Sequence, residues 1–139
     1  MKNGFTLIEL LIVMIIVSTL VAIALPKYQR SLERGRALEG LRNVQYVAEY
    51  VAAKHMATGS WPTNINDFKK TDIVKSRFFG APQYDSDTPN TITISRTGDW
   101  NYTLTATISN DALSSITCSD SDDGETCESL DLTGNLMTR

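Results

Sequence analysis

The chain has a single histidine and only two cysteines among its 139 residues. Those three side chains are too few to build a zinc site by themselves. No serine or cysteine stands in a nucleophile motif, and no glycine-rich loop has phosphate-binding spacing. Excess positive charge is missing as well. The formal net charge is −3, which argues against a basic nucleic-acid-binding protein, so nucleic acid is not an indicated partner. Internal repeats and low-complexity tracts are also absent. The length excludes a TIM barrel or a two-domain nucleotide enzyme and leaves room for one domain with a short appendage.

What the chain does have is one long apolar run. Residues 10–25 read LLIVMIIVSTLVAIAL, interrupted only by Ser18 and Thr19, whose hydroxyls can return to the helix backbone. Extended back to Phe5, the run holds one ionisable group, Glu9. As a helix it spans about 30 Å, the hydrocarbon thickness of a bilayer. A buried core helix fits poorly, because a domain of this size has little interior for a helix that is apolar all round. A secretory signal peptide finds a small-x-small pattern at Ala22-Ile23-Ala24, but the run is long for one and contains a carboxylate. A retained membrane helix fits best. Within it Glu9 costs about 2.5–3.5 kcal/mol on insertion scales, which makes it a functional candidate. Either it reaches the headgroups or it meets a cation, and no Lys or Arg lies between Phe5 and Leu25.

Charge is segregated along the rest of the chain. Residues 27–54 carry Lys27, Arg30, Arg34, Arg36, Arg42 and Lys54 against Glu33, Glu39 and Glu49, a net of +3. Residues 97–139 are acidic, with a net of −7. The positive-inside rule alone would put the basic stretch in the cytoplasm.

Helical periodicity continues past the apolar run. Leu38, Leu41, Val44, Ala48, Val51, Ala52 and His55 step by three and four. One helix is therefore expected from about Phe5 to about Ala57. Pro26 should kink or loosen it, and Gly35 and Gly40 should weaken it. Gly59 is its expected C-cap, and Pro62 prevents resumption. Trp61, Ile65 and Phe68 are expected to pack against this stem. Three strands follow by alternation: Thr91 to Arg96, Trp100 to Ile108, and Leu113 to Cys118, the last less well in phase. A small sheet needs a cover for its apolar face, and the Leu38–Val51 stripe is long enough to supply one. The expected class is α+β, a long helix whose second half lies across a small antiparallel sheet.

The stretch KNGFTLIELLIVMIIVSTLVAIALPKYQ resembles the N-terminus of type IV pilins and of the related type II secretion pseudopilins. The likeness is strong over about 24 residues and only architectural beyond Tyr28. It implies the type IV pilin fold and no cofactor or enzymatic activity. It implies a cleaved leader of residues 1–4, an assembly helix of residues 5–28 and an extracytoplasmic domain of residues 29–139. A membrane prepilin peptidase would cut between Gly4 and Phe5 and then N-methylate Phe5. The new α-amino group of Phe5 would supply the missing cation and pair with Glu9 of a neighbouring subunit. Pro26 sits where such helices commonly loosen on assembly. The implied partners are other copies of the chain in a helical homopolymer, the peptidase, the inner-membrane assembly machinery and, before assembly, membrane lipid. The domain would face the periplasm and later the cell exterior, despite the basic stretch. Arg30, Arg34 and Arg36 could then meet acidic groups of neighbours.

Such a filament would serve adhesion, motility or DNA uptake. A secretion pseudopilin and a minor pilin are alternatives within the family, and a membrane-anchored or secreted binding domain that does not polymerise is a more distant one. In an exported domain Cys118 and Cys127 are expected to form a disulfide. The segment between them is acidic, and Asp120, Asp122, Asp123 and Glu125 are weak calcium candidates. They fail the EF-hand pattern, because its fifth position falls on Gly124. His55 reads as a packed or boundary residue, and Tyr28, Tyr46 and Tyr50 as packing aromatics.

Overall fold

The computed structural model describes residues 5–62, 76–84, 87–121 and 124–137. The expected leader of residues 1–4 with Gly4, the expected packing residues Ile65 and Phe68, and the calcium candidates Asp122 and Asp123 lie outside the described residues.

One helix, α1, runs from Leu7 to Thr58. Thr6 caps its start, accepting a hydrogen bond from the Glu9 backbone N–H at 3.3 Å. Gly59 ends it in the left-handed conformation with φ 68°, as expected, and its N–H reaches the His55 carbonyl. Ser18 and Thr19 donate their hydroxyls to the carbonyls of Ile15 and Ile16. Helical geometry continues through Pro26, so the interruption expected there reduces to the one backbone hydrogen bond that proline cannot donate.

Among the described residues four strands, not three, form one antiparallel sheet in sequential order: β1 Gln83–Tyr84, β2 Thr91–Ser95, β3 Tyr102–Ser109 and β4 Ala112–Asp120. A strand of two residues has no alternation to read, which is why β1 escapes the sequence. Trp100 precedes β3 rather than starting it. In the β2–β3 pair, Ile92 faces Ala106 and Ile94 faces Leu104. The β3–β4 turn places Asn110 and Asp111 at φ 53° and 59°, the geometry of a tight hairpin turn. Next to it, a register shift leaves Thr107 opposite Ser115 but Ile108 opposite Leu113. Ser114 is thereby bulged out, and its hydroxyl bonds the Thr107 carbonyl at 2.9 Å. This bulge is the reason Leu113 looks out of phase.

The second half of α1 lies across the sheet and the first half projects alone. Ala37, Val44, Val47, Ala48, Val51 and Ala52 meet Ile92, Ile94, Tyr102, Leu104, Ala106, Ile108 and Ile116 in one core. Each fully buried branched side chain here contributes roughly 1.5–3 kcal/mol. The helix is rotated relative to the expected stripe: Leu38 is 56% exposed, and Ala37 and Val47 take the inward positions. Gly40 is required by the packing, since a Cβ there would come within 2.6 Å of the Phe79 ring. The free edge of β4 is covered by the C-terminal segment. Asn135 Oδ1 accepts from the Ile116 N–H at 3.2 Å, and the Leu136 N–H donates to the Ile116 carbonyl at 2.9 Å.

Candidate functional site

The projecting half of α1 is the unusual feature of the molecule. Its apolar window, long enough to cross a membrane, is wholly unburied. Leu7, Ile8, Met14, Leu20 and Ile23 are each more than half exposed. So large a continuous apolar surface marks an interaction or membrane site. Glu9 stands in its first turn, where the positive end of the helix dipole favours a carboxylate. Thr6 and Glu9 have the T-x-x-E spacing of a capping box, a signal missed in reading the sequence. No cation approaches the Glu9 carboxylate among the described residues. Phe5 lies just before the cap and is 79% exposed.

The same helix is fastened to the sheet by a buried ion pair that sequence reasoning also missed. Glu33 is fully buried. Arg96 grips both of its carboxylate oxygens, through Nε on Oε1 and through Nη2 on Oε2 at 2.9 Å. Tyr102 donates its hydroxyl to Oε1 at 3.0 Å, and Arg36 reaches Oε2 at 3.2 Å. Arg96 also donates to the Phe78 carbonyl, and Arg36 lies 4.5 Å above the Phe78 ring. Burial pushes the Glu33 carboxyl up, but the hydrogen bonds from Arg96, Tyr102 and Arg36 and the Arg96 charge outweigh it, so its pKa is lowered. The Glu33 hydrogen bond raises the Arg96 pKa, and burial beside the carboxylate raises that of Tyr102. The available signal was phase: Glu33 precedes Ala37, Gly40 and Val44 on the inward face.

The four basic residues nearest the apolar run divide into two groups. Arg34 and Arg36, expected to serve neighbours, are engaged within the chain: Arg34 bonds the Leu130 carbonyl at 2.7 Å and Asp131 at 3.1 Å. Lys27 and Arg30 are exposed and make no ion pair among the described residues.

At the other end of the stem His55 contacts Asp111 at 2.5 Å and stacks on Trp61 with ring centroids 3.9 Å apart. It is a boundary histidine, as expected, and it ties the helix to the β3–β4 turn. Tyr28, Tyr46 and Tyr50 are all exposed. Cys118 and Cys127 form a disulfide, with Cα atoms 5.9 Å apart. The segment expected to be an acidic loop ends in a short helix, α2 Glu125–Ser129. Asp120 supports it, accepting from the N–H groups of Gly124 and Cys127 at 2.7 Å each. Both of its oxygens are therefore spent on backbone, and no potential metal cluster occurs among the described residues.

Residues 1–25 match the family model described as the prokaryotic N-terminal methylation motif. The chain is 39% identical over 64 residues to a protein of Neisseria meningitidis serogroup A named "Fimbrial protein", a match covering 46% of this chain and 38% of the relative. It is equally similar, over 64 residues, to a "Type IV major pilin protein PilE1" of Neisseria gonorrhoeae, of which 39% is covered. The chain thus spans less than two-fifths of the length of these relatives.

Proposed function

We infer that this chain, a type IV pilin family member by its N-terminal methylation motif and its helix-on-sheet fold, is a structural subunit that waits in a membrane and polymerises through its projecting helix. The observation that carries this reading is an apolar half-helix with nothing among the described residues to cover it and a carboxylate with no cation in reach among them. A bilayer can cover the first and neighbouring copies can cover both. Cleavage between Gly4 and Phe5 would create an α-amino group at the tip of the same helix. That group can neutralise Glu9 of an adjacent subunit and set the axial step between copies. A buried pair of this kind is weak as a source of stability but expensive to break, about 3–5 kcal/mol when one partner is removed.

In this reading residues 1–4 are the leader, residues 5–28 the assembly segment with Pro26 its loosening point, and residues 29–139 the periplasmic and later surface domain. The subunit is processed by a prepilin peptidase, handled by inner-membrane assembly machinery, and not an enzyme itself. The filament would act in adhesion, motility or DNA uptake. The matches to a fimbrial protein and a major pilin favour the pilus subunit over a secretion pseudopilin. Glu9→Ala tests the mechanism. The variant should insert in the membrane normally but yield few filaments by electron microscopy of sheared cells, and normal filament yield would contradict it.

A further inference from the structure

Beyond the membrane-spanning run, the structure brings one end of the sheet down beside the helix. The turn between β2 and β3 carries Asp99 and Trp100. It lines an open groove of about 570 Å³ together with Gln29, Leu32 and Arg36 of α1 and Thr126 of α2. Trp100 is half-buried, with the core on one side and this groove on the other.

The depth of that groove follows from helix geometry. Leu7 to Leu25 covers about 28 Å at 1.5 Å per residue, close to the hydrocarbon thickness. Gln29, Leu32 and Arg36 then lie roughly 6–16 Å beyond the hydrocarbon edge, so the rim of the groove at Gln29 and Leu32 is the part nearest the headgroups. Each headgroup layer is about 5–8 Å thick, and the usual tilt of about 20° lowers one side of the domain further. Tyr28 is 62% exposed at the same level, beside the unpaired Lys27 and Arg30. Tryptophan and tyrosine favour this depth because each has an apolar body and a polar tip, and Lys and Arg can extend their head groups to phosphates from it. Asp99, Asp131 and Glu125 belong to the same end of the domain, so its charge is mixed.

We propose that, before assembly, the β2–β3 turn docks on the phospholipid headgroup layer through Trp100, alongside Tyr28, Lys27 and Arg30 of the helix. This rests on the membrane-inserted reading of α1. Docking holds the domain low against the bilayer rather than leaving it on a free stalk. Because the local charge is mixed, a zwitterionic bilayer suffices.

The chain's two tryptophans allow a direct test. Trp61 stacks on His55, about 45 Å along the helix axis beyond Leu25, and serves as the distant control. The full chain is reconstituted in phosphatidylcholine vesicles as Trp61→Phe, leaving Trp100, and as Trp100→Phe, leaving Trp61. Lipid carrying a nitroxide on its headgroup should remove most of the Trp100 fluorescence and little of that of Trp61. A third protein, lacking both and carrying Val17→Trp, reports insertion through quenching by acyl-chain-brominated lipid. Quenching of that probe without quenching of Trp100 overturns the docking and leaves the membrane reading intact. No quenching of the Val17→Trp probe overturns both. Trp100 shielded from aqueous acrylamide but untouched by lipid quencher assigns the groove to a protein contact and also overturns the docking.

Discussion

Glu33 is the residue on which the domain's geometry depends most. It lies fully buried between a helix and a sheet, and four hydrogen bonds hold it. Glu33→Gln should lower the stability of the detergent-solubilised chain by about 3–5 kcal/mol, because it leaves the Arg96 guanidinium buried without its counter-charge. Urea denaturation of the two proteins measures this. The pH dependence has a definite sign. The carboxyl's native pKa is lowered, so its contribution is complete above the ordinary carboxylate value and is lost as pH falls through the lower native value. The stability gap between wild type and Glu33→Gln should therefore narrow in acid and stay constant near neutrality. Two glycines of the same helix make a second residue-scale contrast. Gly35 has nothing within 4 Å of a new Cβ, whereas Gly40 faces the Phe79 ring at 2.6 Å. Gly35→Ala should stabilise by up to about 1 kcal/mol through helix propensity. Gly40→Ala has the same propensity gain but should destabilise by about 1–3 kcal/mol through overpacking. Thermal melts of both variants separate propensity from packing.

Among the elements, the C-terminal part of the sheet is secured twice. The disulfide joins β4 to α2, and Asp120 caps the connection from within. Replacing both cysteines with serine should cost about 2–3 kcal/mol, the loop-closure value for so short a loop. Proteolysis should then begin between Cys118 and Cys127, and mass mapping of early fragments checks this. The elements legible from sequence were those with a long period. α1 and its glycine cap, the β2–β3 hairpin and the Asn110-Asp111 turn all follow from apolar spacing and turn chemistry. Those that escaped were too short or locally irregular. β1 has two residues and α2 has five, whereas β4 was read from Leu113 to Cys118 and only its phase at Leu113 was lost, through the bulge at Ser114. The Glu33–Arg96 pair joins residues 63 positions apart, and no local pattern reports such a contact. Leu38 was misassigned because it fits a three-and-four spacing, yet one helical position of rotation puts it in solvent and Ala37 inside.

At the scale of the whole molecule, the chain is two objects on one helix. The C-terminal half of α1 has its cover in the sheet, and the N-terminal half has none among the described residues. The domain therefore has a fold that does not depend on assembly, while the projecting half depends on its surroundings. Arg34 and Arg36 are drawn into the domain's own contacts, whereas Lys27 and Arg30, nearest the apolar run, are exposed and make no ion pair among the described residues. The part with a family match is residues 1–25, which overlaps the segment that would meet other copies in the proposed filament. In the proposed function this helix is processed at its tip and then used for assembly. Mass spectrometry of the N-terminus of protein purified from its native cells tests it most directly. The mature chain should start at Phe5 and bear an N-methyl group there. A chain that starts near Pro26, with the apolar helix removed, would contradict it.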